Sequence, residues 1–516
     1  MTAVGLWNIA ESRPDMPAVI DPDGREVNYR DLAAAADRYG RGLRSMGLET
    51  GDSFVMVLPN GIDLLALYFA AMQTGLYVVP VNWHLVGPEI AYIISDSEAK
   101  AFVAHERFAD SARTAAAEGG LDENALFAVG EIDGFRPLSE LGADEPRERP
   151  ENRTAGAPML YTSGTTGRPK GVKRPLTGAD PDVLSPAAQW FFGIFGLRPF
   201  EDHVHLCGSP LYHTAVLNFV ANSVQLGHTS VVMDKWEPEE MLRLIQTYRV
   251  THSHMVPTQF NRLLGLPEQT RESYDVSSLR VVIHGAAPCP NEVKRAMLDW
   301  WGPVITEYYA GTEGGGTSIS AEEWLQKPGS VGRVWPGSDV RILDDEGNEQ
   351  PPGKTGGVYM QMGSSSFEYH HDPEKTRKSR VGSMFTLGDV GYLDEDGYLY
   401  LCDRKSDMII SGGVNIYPAE IESELVCHPK VADAAVFGVP NDDWGEEIKA
   451  VVQPVDGVAP GQELTDDVLE FARSRLAKFK LPRSVDYQQE LPRDPNGKLY
   501  KRSLRDPYWA DRAKAI

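Results

Sequence analysis

A mostly parallel α/β fold, followed by an antiparallel β region and a compact α+β tail, is the architecture the sequence predicts, and three observations carry it. Short apolar runs alternate with amphipathic stretches over the first 150 residues and again between 230 and 300. Many short β-type runs follow Ser330, and the pattern changes once more beyond Asp403. A length of 516 residues accommodates more than one folding unit.

In order along the chain, Ser53 to Leu58 and Tyr77 to Val81 read as buried strands, with the apolar run Asp63 to Gln73 as a packed helix between them. The βαβ rhythm returns with a strand at Ser230 to Met233, a helix at Pro238 to Tyr248, a strand at Arg280 to His284 and a helix at Pro290 to Trp300. Such alternation implies parallel sheets covered by helices. From Gly332 to Tyr400, the strings Asp344 to Gly347 and Asp394 to Gly397 mark hairpins. The tail predicts helices at Ala419 to Cys427 and Asp466 to Ala477, with strands near Ala434 to Val439 and Glu447 to Gln453.

Composition bounds the function. Hydrophobic residues at 42% and charged residues at 24% are ordinary for a soluble globular protein. The net charge of −24 repels phosphate backbones and anionic lipid, so nucleic acid is not an expected partner. Met1 to Asp15 has no basic stretch followed by an apolar core, and no run of ~20 apolar residues occurs, so a cytoplasmic chain without an integral membrane segment is expected. Cys207, Cys289, Cys402 and Cys427 are widely spaced and predict isolated core thiols, with neither disulfides nor a structural zinc site.

The most informative string is Tyr161-Thr162-Ser163-Gly164-Thr165-Thr166-Gly167-Arg168-Pro169-Lys170-Gly171. Thr162, Ser163, Thr165 and Thr166, spaced by Gly164 and Gly167, can wrap hydroxyls and backbone N–H groups around phosphate oxygens, and Lys170 adds positive charge. No Gly-Lys-Ser/Thr string is present, so it is not a Walker loop.

The string resembles the phosphate loop of the adenylate-forming (ANL) superfamily, which includes acyl-CoA synthetases, peptide-synthetase adenylation domains and firefly-type luciferases. Further motifs follow in that family's order. Gly285-Ala286-Ala287-Pro288 resembles the adenine-contacting turn, and Tyr309-Ala310-Gly311-Thr312-Glu313 the Tyr-Gly-x-Thr-Glu segment. Gly388-Asp389, Asp403-Arg404, the run from Ser411-Gly412-Gly413 to Glu422, and Pro495-Asn496-Gly497-Lys498 complete the set.

The resemblance implies a luciferase-like architecture: an N-terminal domain over 1–405 that binds acyl group and ATP, and a small mobile α+β domain over 406–516 that carries the catalytic lysine. It implies an acyl-CoA ligase that uses ATP, Mg2+ and coenzyme A to convert a carboxylic acid to an acyl adenylate and then a thioester. Lys498 would bridge the attacking carboxylate and the α-phosphate, Thr312 would hydrogen-bond the α-phosphate, and Glu313 would hold Mg2+. Tyr309 would stack on adenine, Asp389 would accept from the ribose hydroxyls, and Arg404 would reach ribose or phosphate. His213 matches the gate between acyl pocket and thiol tunnel. Ser406 matches the hinge, with the pivot near Arg404 to Asp407, and Ser411-Gly412-Gly413 the loop that faces the thiol.

Two departures stand out. Leu387-Gly388-Asp389 replaces the family's Thr-Gly-Asp, and Ala310-Gly311 with Gly314-Gly315-Gly316 strips side chains from around Glu313. The second predicts a widened acyl pocket and a long-chain or bulky, even polycyclic, acid. Other readings are a loader of a separate acyl-carrier protein, an oxidative luciferase, a ligase that retains only thioester formation, and a non-catalytic nucleotide-binding relative. The intact Lys498, Glu313, Asp389 and Arg404 weigh against the last. The sequence leaves a homodimer open.

Overall fold

The computed structural model describes residues 3–146, 149–162, 169–363, 367–493 and 499–510. The chain forms two compact units, one of Met1–His254, Glu272–Val282 and Ser364–Lys378, the other of Met255–Arg271, Ile283–Gly363 and Ser379–Ile516.

The first unit contains a six-stranded, wholly parallel sheet in the order Arg136–Pro137, Leu126–Val129, Ala99–His105, Ser53–Val57, Tyr77–Pro80, Ala157–Pro158. Its central strands are buried on both faces, which is why Ser53–Val57 and Tyr77–Pro80 read as unbroken apolar runs. The helix Ile62–Thr74 between them buries nearly its whole circumference and stops at Gly75, which adopts the left-handed conformation at φ +66°. A second sheet aligns His252–Met255, Val204–Cys207, Thr229–Val232 and Pro17–Ile20 in parallel, with Glu26–Asn28 antiparallel at its edge. One hydrophobic core, including Phe54, Phe69, Val78, Val19 and Val232, joins the inner faces of both sheets around the helices Tyr29–Ser45 and Ile62–Thr74. A small antiparallel sheet of Leu160–Thr162, Lys170–Lys173 and Glu368–Tyr369 completes the unit.

The second unit holds the antiparallel hairpin Ile305–Gly311/Gly314–Ile319 and an antiparallel five-stranded sheet built on Ser338–Leu343, Gly356–Met362, Met384–Leu393 and Leu399–Arg404. Asp394 to Gly397 forms the turn between the last two strands, as its sequence predicts. The tail pairs Val431–Asn441 with Gly445–Pro454 and packs the helices Pro418–Val426 and Gln462–Arg473 over a core of Ile409, Ile421, Leu425, Val436 and Val468. This helix starts four residues before its expected position, because Gly461 opens it. The α/β class, the antiparallel region and the α+β tail all match the expectation. Among the described residues, no helix is long and apolar enough to cross a membrane. The thiols are free, but only Cys207 is buried; the other three are half-buried.

Candidate active site

The hairpin Ile305–Gly311/Gly314–Ile319 brings three of the expected site residues together. Gly311 pairs with Gly314, so Thr312 and Glu313 are the two residues of the connection, and Tyr309 lies on the strand that leads into it. The strand is braced from beneath by a buried ion pair. Lys294 Nζ lies 2.6 Å from Glu307 Oε2, with Lys294 fully buried over the Trp324 ring at 4.7 Å and His284 Nε2 3.6 Å from the same oxygen. Burial pushes the Glu307 carboxyl up and the Lys294 charge draws it back. Sequence reasoning missed this pair, yet a signal was there: Lys294 shares the apolar stripe Met297, Leu298, Trp301 of its helix at spacings of three, four and seven, where a lysine needs a buried partner.

Asp389 sits opposite Arg404 across the strands Met384–Leu393 and Leu399–Arg404. The Tyr309 hydroxyl donates to Asp389 Oδ2 at 2.6 Å, and Arg404 Nε lies 3.5 Å from Oδ1. Burial first, then the Asp389 charge, hold the Tyr309 phenol well above its usual range, so it stays a donor. The three residues thus form one aromatic, acidic and basic group, with Asp389 oriented through both oxygens. Gly285, Ala286 and Ala287 follow the strand Val281–His284, and Ala286 is exposed in the left-handed region at φ +68°.

The glycines around Glu313 do not widen a pocket as expected. A Cβ on Gly316 would lie 2.6 Å from the Trp335 ring, one on Gly315 2.9 Å from Met360 Sδ, and one on Gly311 2.6 Å from Leu387 Cδ2 and 2.8 Å from Glu313 Oε2. The space that the missing side chains vacate is filled by Trp335, Met360 and Leu387. The two departures from the family pattern meet at one point: Leu387 packs where a side chain at 311 would stand.

The other expected residues are distributed as follows. Lys170 begins the strand Lys170–Lys173, paired with Thr162 at the mouth of the phosphate string, and its Nζ lies 3.9 Å from Asp372 Oδ2. His213 is half-buried at the N-cap of the helix Thr214–Gln225, its ring 4.4 Å from that of Tyr212. Ser411 ends a strand, and Gly412 and Gly413 are the two turn residues that join it to Val414–Ile416, at φ +58° and +78°. Two left-handed residues in a row are what a two-residue hairpin of this twist requires, and glycine adopts them without strain. Ser406 is exposed beside Asp407, to which its hydroxyl donates. Ser163, Gly164, Thr165, Thr166 and Lys498 lie outside the described residues. Lys501, close in sequence to Lys498, is largely buried, 2.8 Å from Glu422. Burial alone would lower its pKa, but Glu422, Asp403 and Asp407 outweigh that and raise it.

Comparison with known proteins follows the same line. Residues 6–368 match the AMP-binding enzyme family and residues 420–498 the AMP-binding enzyme C-terminal domain. The chain belongs to the AMP-binding enzyme family. It is an adenylate-forming enzyme of the acyl-CoA synthetase type, an AMP-forming acid–thiol ligase. It is 31% identical to a fatty acid–[acyl-carrier-protein] ligase of Streptomyces coeruleorubidus, over 98% of this chain and 96% of that one. Identity to the long-chain-fatty-acid–CoA ligase FadD13 of Mycobacterium tuberculosis is 33% over 96% of each. The crystal structure of ATP-bound MatB from Rhodopseudomonas palustris superposes with a TM-score of 0.82 at 31% identity, covering 98% of this chain and 99% of that one.

Proposed function

We propose that this ligase activates a carboxylic acid with ATP and transfers the acyl group to coenzyme A. In the first half-reaction a carboxylate oxygen attacks the α-phosphorus, the α–β phosphoanhydride bond breaks and pyrophosphate leaves. In the second, a thiolate attacks the acyl carbon and AMP leaves. The observation that carries the reading is the Tyr309, Asp389 and Arg404 group beside the Thr312-Glu313 turn: an oriented carboxylate suited to ribose hydroxyls, with an aromatic face and a phosphate-binding hydroxyl on one hairpin.

Glu313 offers one carboxylate and belongs to no cluster of three or more His, Cys, Asp or Glu ligands among the described residues, which suits a cation completed by phosphates and water. Mg2+ held there would neutralise charge on the triphosphate. Thr312 donates to the α-phosphate, Lys498 stabilises charge as the carboxylate attacks, and Lys170 with Thr162, Ser163, Gly164, Thr165 and Thr166 cradles the leaving phosphates. His213 gates the thiol path and Ser411-Gly412-Gly413 lines it. The domains divide at 405/406, within the interval that the two family matches leave between 368 and 420.

The relatives' names support a hydrophobic acid larger than acetate, since they include fatty acids and ferulate; the glycines around Glu313 do not. A second reading, loading of a carrier protein, is favoured by the fatty acid–[acyl-carrier-protein] ligase relative. A panel of fatty and aryl acids with ATP and Mg2+ tests both, following pyrophosphate release and then thioester with either coenzyme A or a phosphopantetheinylated carrier protein. Lys498→Ala should lower pyrophosphate release about 100- to 1,000-fold, yet leave thioester formation from synthetic acyl-AMP within a few-fold of normal. Equal loss of both steps refutes the role given to Lys498, and no turnover of any acid refutes the ligase.

A further inference from the structure

Outside that site, three ligand-capable side chains converge in the first unit. Glu98, in the turn between the helix Gly87–Asp96 and the strand Ala99–His105, approaches His370 and His371, which follow the strand Glu368–Tyr369. One ligand atom from each lies within 4.8 Å of the other two.

His370 is the informative member. It is only 5% exposed, its backbone N–H donates to the Gly171 carbonyl at 2.8 Å, and its ring bonds the backbone of Asp96. Ring nitrogen Nε2, by contrast, is buried without any hydrogen-bond partner. A buried polar atom left unmatched is costly, and native proteins rarely keep one without a use. A ring fixed by a backbone bond at one nitrogen with the other left bare is how a metal-binding histidine is prepared. The exposed His371 ring stacks on that of His370 at 3.9 Å, and Glu98 is also exposed, so the third ligand and the open side face solvent.

We propose that Glu98, His370 and His371 form a binding site for a borderline divalent transition metal, Zn2+ being the reference case, with a further position open to water. Two imidazoles and one carboxylate suit Zn2+ far better than Mg2+, which prefers an all-oxygen shell. The Lys173 charge opposes the cation, while Glu98 and the Asp96 carboxylate favour it. Asp96 also ties the site to the phosphate string, because its carboxylate accepts from the hydroxyls of Tyr92 at 3.2 Å and Tyr161 at 2.8 Å. An ion here would pin the 367–371 segment to the turn at Glu98 and so brace the strand Lys170–Lys173.

The test titrates Zn2+ into chelator-treated, full-length protein against a chromophoric chelator. It compares the unsubstituted chain with His371→Ala and Glu98→Gln, neither of which belongs to the adenylating machinery. Thermal unfolding without metal checks that the variants fold. The expected result is one tight equivalent per chain, weakened roughly tenfold or more by either substitution, and a Zn2+-dependent rise in Tm that both variants diminish. X-ray absorption of the Zn2+-loaded protein should show two imidazole ligands. Equal affinity in all three proteins, or no equivalent that outcompetes the chelator, overturns the proposal.

Discussion

The histidine layer of the first unit and the ion pairs of the second bury polar groups by opposite means, although the first unit also pairs the buried Arg153 with Asp182 at 2.9 Å. In the first, histidines are buried as neutral rings. His205 stacks on His252 at 4.7 Å, the Ser223 hydroxyl bridges His205 Nδ1 and His252 Nε2, Thr251 Oγ1 meets His203 Nδ1 and His252 Nδ1, and His254 stacks on Phe219. Burial pushes His205, His228 and His254 down to about 3 and holds His252 well below the usual imidazole range. In the second unit, charges are buried as pairs: Lys294 with Glu307, and Lys501 with Glu422. A neutral ring tolerates burial only while it stays neutral, whereas an ion pair tolerates it only while both partners remain.

Acid should break the comparison most strongly. Each depressed histidine is neutral in the fold but protonates near 6.5 once unfolded, so its stabilisation is complete above about pH 6.5 and is lost as pH falls toward 3. Between pH 7 and 5 each ring with a folded pKa near 3 costs roughly 2 kcal/mol. Glu307 and Glu422 have raised pKa values from burial, partly offset by their lysines, so their contribution has the opposite sign: acid favours their folded form. Hydrogen exchange at pH 7 and 5 should therefore show the segments 203–207 and 250–254 lose protection well before 305–311. Parallel loss in both units would remove the distinction.

Substitution at the ion pair comes next. Lys294→Met leaves the Glu307 carboxylate buried and unpaired and should cost about 3–5 kcal/mol in urea unfolding, while Lys294→Met with Glu307→Leu should recover most of it. If the double variant is no better than the single one, the lysine serves packing and not charge. The smallest effect is expected at the hairpin. Gly311→Ala drives a methyl into Leu387 and the Glu313 carboxylate, with an overpacking cost of about 1–3 kcal/mol and slower pyrophosphate release. Adding Leu387→Ala should restore both. Absence of rescue would mean that the two positions are not complementary.

These contrasts also show what the sequence could reveal. Pro238–Tyr248 is legible to the residue, since proline suits the first helical turn and the apolar period continues to its end. The buried parallel strands are legible because burial on both faces leaves them uniformly apolar. The candidate site residues Asp389 and Thr312-Glu313 stand out in the sequence as motifs, and the fold sets Tyr309 and Arg404 against Asp389. What escapes is side-chain packing between distant segments: Leu387 and Gly311 are 76 residues apart, and neither residue type alone announces the other. The histidine layer carries a hint in its period of two, with 203 and 205 near one strand and 252 and 254 on another, but only the fold shows that one hydroxyl serves two of the rings.

Lys501 leaves one last mark. The backbone bridge between Arg493 and Leu499, together with the buried grip of Glu422 on Lys501, moors the helix Lys501–Arg505 to the folded tail. A lysine beside the exposed Arg502 thus serves as an anchor, and this late helix of the chain is held by an interior contact and not left to solvent.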